Sequence, residues 1–249
     1  MEKLIFLSVA GFIAAFVDAI AGGGGLITVP AYLLAGFPPH LALGTNKFAS
    51  TTGSFTSSYK FIRAGKVNWE YLKCVLPLVF IGAVLGVRTV LLIDQSFLYP
   101  IVMVLILFVG LYSLFSKSLG QVSSYTGINK KSLTAGLILG FSLGFYDGFF
   151  GPGTGSFIIF GLLYIFKFDF VTASGNAKVM NFISNLASLL TFALSGKIDY
   201  KYGLIIGCFM IMGARLGSKA ALARGSRLIK PIFIVMSLAV AGKMLYNML

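Results

Sequence analysis

The chain is a succession of long apolar runs separated by short polar connections. These runs recur at about the twenty-residue length that an α-helix needs to cross a bilayer. Helical elements are predicted at residues 4–20, 25–36, 46–63, 70–93 and 97–115, and then at 132–149, 154–166, 175–195, 201–222 and 228–247. The second element of each five is too short to cross alone at about 1.5 Å per residue, so a re-entrant or discontinuous helix is expected there. The pattern predicts an all-α polytopic membrane protein with about eight full spans and two short helices.

Two glycine-rich breaks interrupt the apolar runs, and each follows an acidic residue. The first is Asp18-Ala-Ile-Ala-Gly-Gly-Gly-Gly25, and the second is Asp147-Gly-Phe-Phe-Gly-Pro-Gly153. Glycine loses much backbone entropy on ordering and proline lacks an N–H, so neither stretch is expected to continue a helix. Broken backbone at membrane depth is tolerated only where it is buried in protein or lines a wet cavity. The two breaks therefore indicate where the functional centre lies.

The two sets of five elements resemble copies of each other. With an offset of 131 residues, Lys47 falls on Lys178, Ser50 on Asn181, Ser54 on Asn185 and Ser57 on Ser188. So many coincidences at one offset indicate an internal duplication. The predicted domains are a first repeat at 1–116, a cytoplasmic linker at 117–131 and a second repeat at 132–249. Because the second copy carries the same unit inside the chain, we expect the N-terminal run to be a retained helix and not a cleaved signal peptide.

The charge distribution favours an inverted arrangement of the two copies. The 249 residues are 57% hydrophobic and 11% charged, with a net charge of +13 and a mean hydropathy of +0.93. The basic residues lie in short connections between apolar runs, which is the positive-inside pattern and not a nucleic-acid-binding surface. Lys60, Arg63, Lys66 and Lys73 surround the connection after the third element, which we place in the cytoplasm. The matching connection at 197–201 has nearly balanced charge and is placed outside. An odd number of membrane crossings in each copy inverts the second copy, and this assignment leaves both termini outside.

Each third element carries a lysine followed by polar residues on one helical face. Lys178, Asn181, Asn185 and Ser188 are spaced i, i+3, i+7 and i+10. Such a stripe on a membrane helix faces a cavity or the protein interior, and hydrogen bonding between packed helices is the alternative explanation. Each break is followed by a short helix, whose first main-chain N–H groups lie at the positive end of the helix dipole and could bind a small oxyanion. The alternative explanation is that the glycines only permit close packing. The predicted anion contacts are Lys47, Lys178, Asn46, Asn176 and Asn181, with a main-chain cradle at Gly22, Gly23, Gly24, Gly25, Gly151 and Gly153.

Asp18 and Asp147 have two open explanations. They could neutralise the lysines or carry a coupling proton, or each could be the N-cap of a short helix. No metal-binding or ATP-binding spacing is present, so no metal and no cofactor are expected. Cys74 and Cys208 lie in apolar runs without disulfide spacing, which favours two buried free thiols.

The motifs around the first break resemble those of a known family. Gly22-Gly-Gly-Gly-Leu-Ile-Thr-Val-Pro30 and Gly36-Phe-Pro-Pro-His-Leu-Ala-Leu-Gly-Thr-Asn-Lys47 are similar to motifs of the sulfite exporter TauE/SafE family of bacterial membrane permeases. Gly151-Pro-Gly-Thr-Gly155 and Asn176-Ala-Lys-Val-Met-Asn181 resemble the C-terminal motifs of that family. The resemblance covers nearly the whole chain. It implies transport of small sulfur-containing anions, such as sulfite, sulfoacetate or related organosulfonates, driven by an ion gradient.

We therefore expect a secondary transporter of a small anion that works by alternating access between two inverted repeats. A passive anion channel would share the site, and an intramembrane enzyme is the third class, although no nucleophile motif supports it. The expected partners are a small anionic substrate and the lipid bilayer, with no nucleic acid; a homodimer is compatible with the sequence. The expected location is the inner or plasma membrane, with multiple spans.

Overall fold

In the computed structural model, residues 1–94, 96, 125 and 127–224 are described, and every regular element in that part of the chain is an α-helix. The helices are α1 Glu2–Ala21, α2 Gly25–Leu34, α3 Pro39–Arg63, α4 Trp69–Leu91, α5 Lys130–Phe149, α6 Thr154–Phe166, α7 Phe170–Leu194 and α8 Tyr200–Arg224. The predicted elements at 97–115 and 228–247 lie outside the described residues, as does most of the predicted linker at 117–131.

The distribution of polar and apolar side chains is that of a membrane protein. Four of the described helices, α1, α4, α7 and α8, are long and apolar enough to cross a bilayer. Large apolar side chains such as Ile13 in α1, Ile81 in α4 and Leu204 in α8 are exposed on their outer faces. Charged and amide side chains such as Lys47 and Lys178 are instead buried. Lipid can cover such an outer surface, but it offers no hydrogen bonds to polar groups, so the buried polar side chains must find their partners inside the protein.

Helices α3 and α7 begin earlier than the sequence pattern predicts. The expected starts were residues 46 and 175, whereas the helices begin at Pro39 and Phe170. Pro39 suits the first turn of a helix because its fixed φ is already helical and its missing N–H would have no partner there. The carboxylate of Asp169 accepts the N–H groups of Val171 and Thr172 and so caps α7.

The helices pack through glycines at places where two main chains approach closely. Helix α1 lies along α8, helix α4 lies along α5, and α3 packs against α7. A β-carbon at Gly86 of α4 would overlap the carbonyl oxygen of Phe145, and one at Gly217 of α8 would overlap that of Phe16. Small residues allow this approach, which is the usual way that membrane helices associate without a hydrophobic driving force. The result brings α3 and α7 to the centre of the described bundle, beside both breaks.

The expectation of buried thiols is wrong. Cys74 and Cys208 are free, as expected, but both are exposed. Each lies on an outer helix, α4 or α8, whose apolar face points away from the bundle. A small apolar side chain in a membrane helix is as well placed against lipid as in the interior, so its apolarity did not indicate burial.

Candidate functional site

The two glycine-rich breaks cross each other. At Gly22 the backbone has φ +72°, and a β-carbon there would overlap the main chain of Gly155 and Ser156. The hydroxyl of Ser156 donates to the carbonyl oxygens of Ala21 at 3.1 Å and Gly22 at 2.9 Å. Glycine is needed here because only a residue without a β-carbon tolerates both this φ and this approach. The start of α6 is thereby fixed against the end of α1.

A small cavity of about 30 Å³ lies beside this crossing, between α3 and α7. It exceeds the volume of about 10–15 Å³ that one water requires. Six of its lining side chains are charged groups or amides, namely Asp18, Asn46, Lys47, Asp147, Asn181 and Asn185. Main chain from both breaks completes the wall at Gly23, Gly24, Gly25, Gly151 and Gly153. Most of the residues predicted from the sequence as anion contacts therefore surround one cavity.

Lys47 is the positive charge on the cavity wall. Its side chain is 2% exposed, and its ammonium lies 2.8 Å from Asp147 Oδ2 and 3.0 Å from the acceptor Asn185 Oδ1. The hydroxyl of Ser184 donates to the same Asp147 oxygen at 2.6 Å. A buried ion pair needs such additional hydrogen bonds to offset the cost of removing both charges from water. The pair joins the first-half lysine to the second-half break.

Lys178 makes the reciprocal pair with the first-half break. Its ammonium lies 3.0 Å from Asp18 Oδ2 and also donates to the main-chain oxygen of Asp18. The other carboxylate oxygen of Asp18 accepts the N–H groups of Gly23 at 3.1 Å and Gly24 at 3.3 Å. Asp18 therefore occupies the N–H groups at the start of α2 and faces Lys178 at the same time. Asp147 has no such main-chain donor among its described partners.

Three of the predicted site residues do not line the cavity. Gly22 lies at the crossing of the breaks, and Lys178 is fully buried behind Asp18. Asn176 accepts the N–H of Asn68 at 2.8 Å and donates to the carbonyl oxygen of Thr172. Its amide thus holds the connection between α3 and α4, and the spacing from Lys178 gave no sign of that contact.

Two side chains that contact the Lys47–Asp147 pair, those of Asn185 and Ser184, were not among the predicted contacts. Asn185 lies on the same predicted polar stripe as Asn181, so that stripe contained the signal for it. Ser184 is off that stripe, and only the packing of α5 against α7 brings it to Asp147. No periodicity within one helix could have shown that contact.

The cavity offers unused hydrogen-bond donors. The side-chain amide of Asn181 is at the cavity, 7% exposed, and has no partner among the described residues. Asn46 uses its amide oxygen to accept from Ser50 at 3.3 Å, which leaves its amide N–H groups without a described partner. Amide N–H groups beside an ammonium suit the oxygen atoms of an anion. No three His, Cys, Asp or Glu side chains come together as a metal site in the described part of the chain.

Comparison with known proteins gives one consistent result. The profile of the sulfite exporter TauE/SafE family matches residues 7–244. A probable membrane transporter protein of Haemophilus influenzae is 42% identical over 99% of this chain and 96% of its own length. A probable membrane transporter protein of Sinorhizobium is 39% identical over 97% of this chain and 92% of its own, and one of Escherichia coli K12 is 36% identical over 99% and 92%. No solved structure matches the chain.

Proposed function

Because this chain belongs to the sulfite exporter TauE/SafE family, we propose that it is a secondary transporter of a small sulfur-containing anion such as sulfite, sulfoacetate or another organosulfonate. Its family and relatives are membrane transporters and not enzymes. The observation that carries the proposal is the ammonium of Lys47 in the wall of a small cavity, beside amide N–H groups that have no partner among the described residues.

The anion would bind where Lys47 and the cavity amides converge. Asn46 and Asn181 donate to its oxygens, and Lys47 supplies the opposite charge. The small volume suits a substrate of a few heavy atoms and excludes a nucleotide or sugar unless the cavity opens. The glycines of both breaks allow the main chain to approach that substrate closely.

Charge balance in this cavity supports coupling to a proton. Lys47 is already paired with Asp147, so an added anion leaves a net negative charge in a buried site, which is unfavourable. A proton on Asp147 removes that excess and frees the ammonium for the substrate. Asp18 also lines the cavity, but Lys178 and the N–H groups of Gly23 and Gly24 already hold its carboxylate, so we assign the coupling proton to Asp147.

Matched contacts support two inverted repeats as the transport machinery. A β-carbon at Gly44 would overlap the carbonyl oxygen of Lys197, and one at Gly175 would overlap that of Lys66. Both partners in the second contact lie 131 residues from those in the first. We propose repeats at 1–116 and 132–249 joined by a cytoplasmic linker at 117–131, with about eight full spans in the plasma or inner membrane. Alternating access then moves one repeat against the other around the cavity.

The test is uptake of radiolabelled sulfite and of methanesulfonate into proteoliposomes, with and without an inward proton gradient. Methanesulfonate remains a monoanion throughout, so a proton effect on its flux belongs to the transport step. Flux that exceeds protein-free vesicles, rises with the gradient and is lost in Lys47→Met supports the proposal. Flux that follows only the anion gradient and membrane potential would favour a passive channel, and no flux of either anion would contradict the substrate class.

A further inference from the structure

The two lysines at equivalent positions of the repeats have different surroundings. Lys47 lines the cavity and shares its ammonium between Asp147 and an amide. Lys178 is 0% exposed, does not line the cavity, and gives its ammonium to two oxygens of Asp18. The sequence assigns the two lysines the same role, whereas their contacts differ.

The difference coincides with one pair of equivalent residues that are not identical. Asn185 in α7 corresponds to Ser54 in α3 at the offset of 131, and the two face each other, with Asn185 Nδ2 3.5 Å from Ser54 Oγ. The amide oxygen of Asn185 reaches Lys47 at 3.0 Å. The Ser54 hydroxyl is shorter and donates to the carbonyl oxygens of Ser50 and Thr51 in its own helix. It makes no described contact with Lys178.

A second pair of equivalent residues that are not identical also makes the surroundings of the two ion pairs different. Ser184 donates to Asp147, whereas its equivalent in α3 is Gly53, which has no side chain to donate. Asp147 is therefore held by side chains of α3 and α7, and Asp18 by Lys178 and the main-chain N–H groups of its own break. The Asp18 pair holds the break between α1 and α2 in place.

We infer that the two ion pairs divide the work: Lys47 alone supplies the charge that binds the anion, Lys178 is a positioning residue that fixes the first break through Asp18, and Asn185 assigns these roles by holding Lys47 at the cavity. This inference rests on the proposed function and specifies which charges contact the substrate. Removal of Lys178 then harms transport by leaving a buried carboxylate without a cation, not by removing an anion contact.

Neutral versions of the two pairs separate these roles. Lys178→Met alone is expected to lower both the amount of folded protein and the flux. Adding Asp18→Asn removes the unpaired charge and keeps an amide oxygen for the N–H groups of Gly23 and Gly24, so Asp18→Asn/Lys178→Met is expected to recover folding and most of the flux. The matched Asp147→Asn/Lys47→Met protein is expected to fold and to lose anion flux. If flux per folded molecule is also abolished in Asp18→Asn/Lys178→Met, the charge of Lys178 is itself required for transport and the inference is wrong.

Asn185 is tested by Asn185→Ser, which gives α7 the side chain that α3 carries. Loss of a hydrogen bond to a charged group is expected to raise KM for methanesulfonate by about tenfold, with kcat nearly unchanged and the melting temperature only a few degrees lower. Ser188→Ala is the matched control, because Ser188 is buried one turn further along α7 and, among the described residues, its hydroxyl bonds only the carbonyl oxygen of Ser184. An unchanged KM in Asn185→Ser would contradict the role of Asn185.

Binding measured without transport distinguishes failure of this inference from failure of the proposed function. In detergent, methanesulfonate or sulfite is expected to raise the melting temperature of the wild type and of Asp18→Asn/Lys178→Met, but not of Asp147→Asn/Lys47→Met. That pattern without any flux in vesicles would contradict the transport proposal and leave the division of roles standing. An equal rise in both double variants would overturn the division of roles even if the wild type transports, and no rise in any protein together with no flux would overturn both.

Discussion

At the residue scale, Gly151 is a position where the main chain closely approaches the Lys47–Asp147 pair. Its φ is +100°, and a β-carbon would lie 3.0 Å from Lys47 Nζ and 3.2 Å from Asp147 Oδ1. The added methyl must therefore push one charged group from its partner. We expect Gly151→Ala to reduce anion flux by about tenfold or more, because a buried pair separated by even a small distance loses much of its mutual stabilisation. Flux in vesicles at equal protein content measures the effect.

The control for backbone strain is Gly196→Ala. Gly196 also has a positive φ, +64°, but nothing lies within 4 Å of the β-carbon position. A non-glycine residue in this left-handed region costs roughly 1–2 kcal/mol, so this variant is expected to melt a few degrees lower and to transport normally. Equal loss of flux in both variants would show that strain, and not contact with the ion pair, explains the Gly151 result.

Each acid forms an ion pair with the lysine of the other repeat, and these pairs show what one sequence can and cannot predict at this scale. The sequence predicted that Asp18 and Asp147 either neutralise the lysines or carry a coupling proton, or else cap a short helix, and it left these explanations open for both residues. In the structure Asp18 faces Lys178 and also accepts N–H groups at the start of α2, whereas Asp147 faces Lys47 and Ser184. Lys47 and Asp147 are 100 residues apart, so their contact depends on the packing of α3 against the second break, which local spacing does not contain.

At the element scale, the early starts of α3 and α7 place one glycine of each repeat inside a helix. The helices were expected to begin at residues 46 and 175, whereas they begin at Pro39 and Phe170 and contain Gly44 and Gly175. Each glycine instead makes room for a carbonyl oxygen from the connection that follows the other helix, Lys197 or Lys66. Helical periodicity predicted the interior of every described element well. The role of these two glycines depends on contacts with residues that are more than 100 positions away, Lys197 for Gly44 and Lys66 for Gly175.

Substitution of either glycine is expected to destabilise the protein. In Gly44→Ala or Gly175→Ala the β-carbon would overlap a main-chain oxygen of the opposing connection. Such an oxygen cannot rotate away, so the helix and that connection must separate. Overpacking of this kind costs about 1–3 kcal/mol or more. The melting temperature in detergent, monitored by size-exclusion chromatography, should fall by a similar amount in both variants.

Gly53→Ala is the matched control in the same helix as Gly44. The nearest atom to its β-carbon position is 3.5 Å away, which is ordinary contact. Alanine is favoured over glycine inside a helix by about 0.5–1 kcal/mol, so Gly53→Ala is expected to melt at the same temperature as the wild type or slightly above it. Stability of Gly44→Ala equal to that of Gly53→Ala would contradict the close approach.

At the scale of the whole molecule, the proposed inverted repeat makes a prediction about sidedness. Ala64 and Ser195 are the C-cap residues of α3 and α7, both are exposed, and they lie 131 residues apart. The basic residues around the first connection predict that it is cytoplasmic, and the nearly balanced charge of the second predicts that it is outside. Two equivalent positions of one repeat unit should therefore lie on opposite sides of the membrane.

Cysteine labelling measures this directly. In a Cys74→Ala/Cys208→Ala background, a membrane-impermeant maleimide is expected to label Ser195→Cys in intact cells and Ala64→Cys only after permeabilisation. Labelling of Ala64→Cys alone in intact cells would reverse the orientation and keep the inverted repeat. Labelling of both from the same side would exclude the inversion, and with it the proposal that two inverted copies open the site to opposite sides in turn.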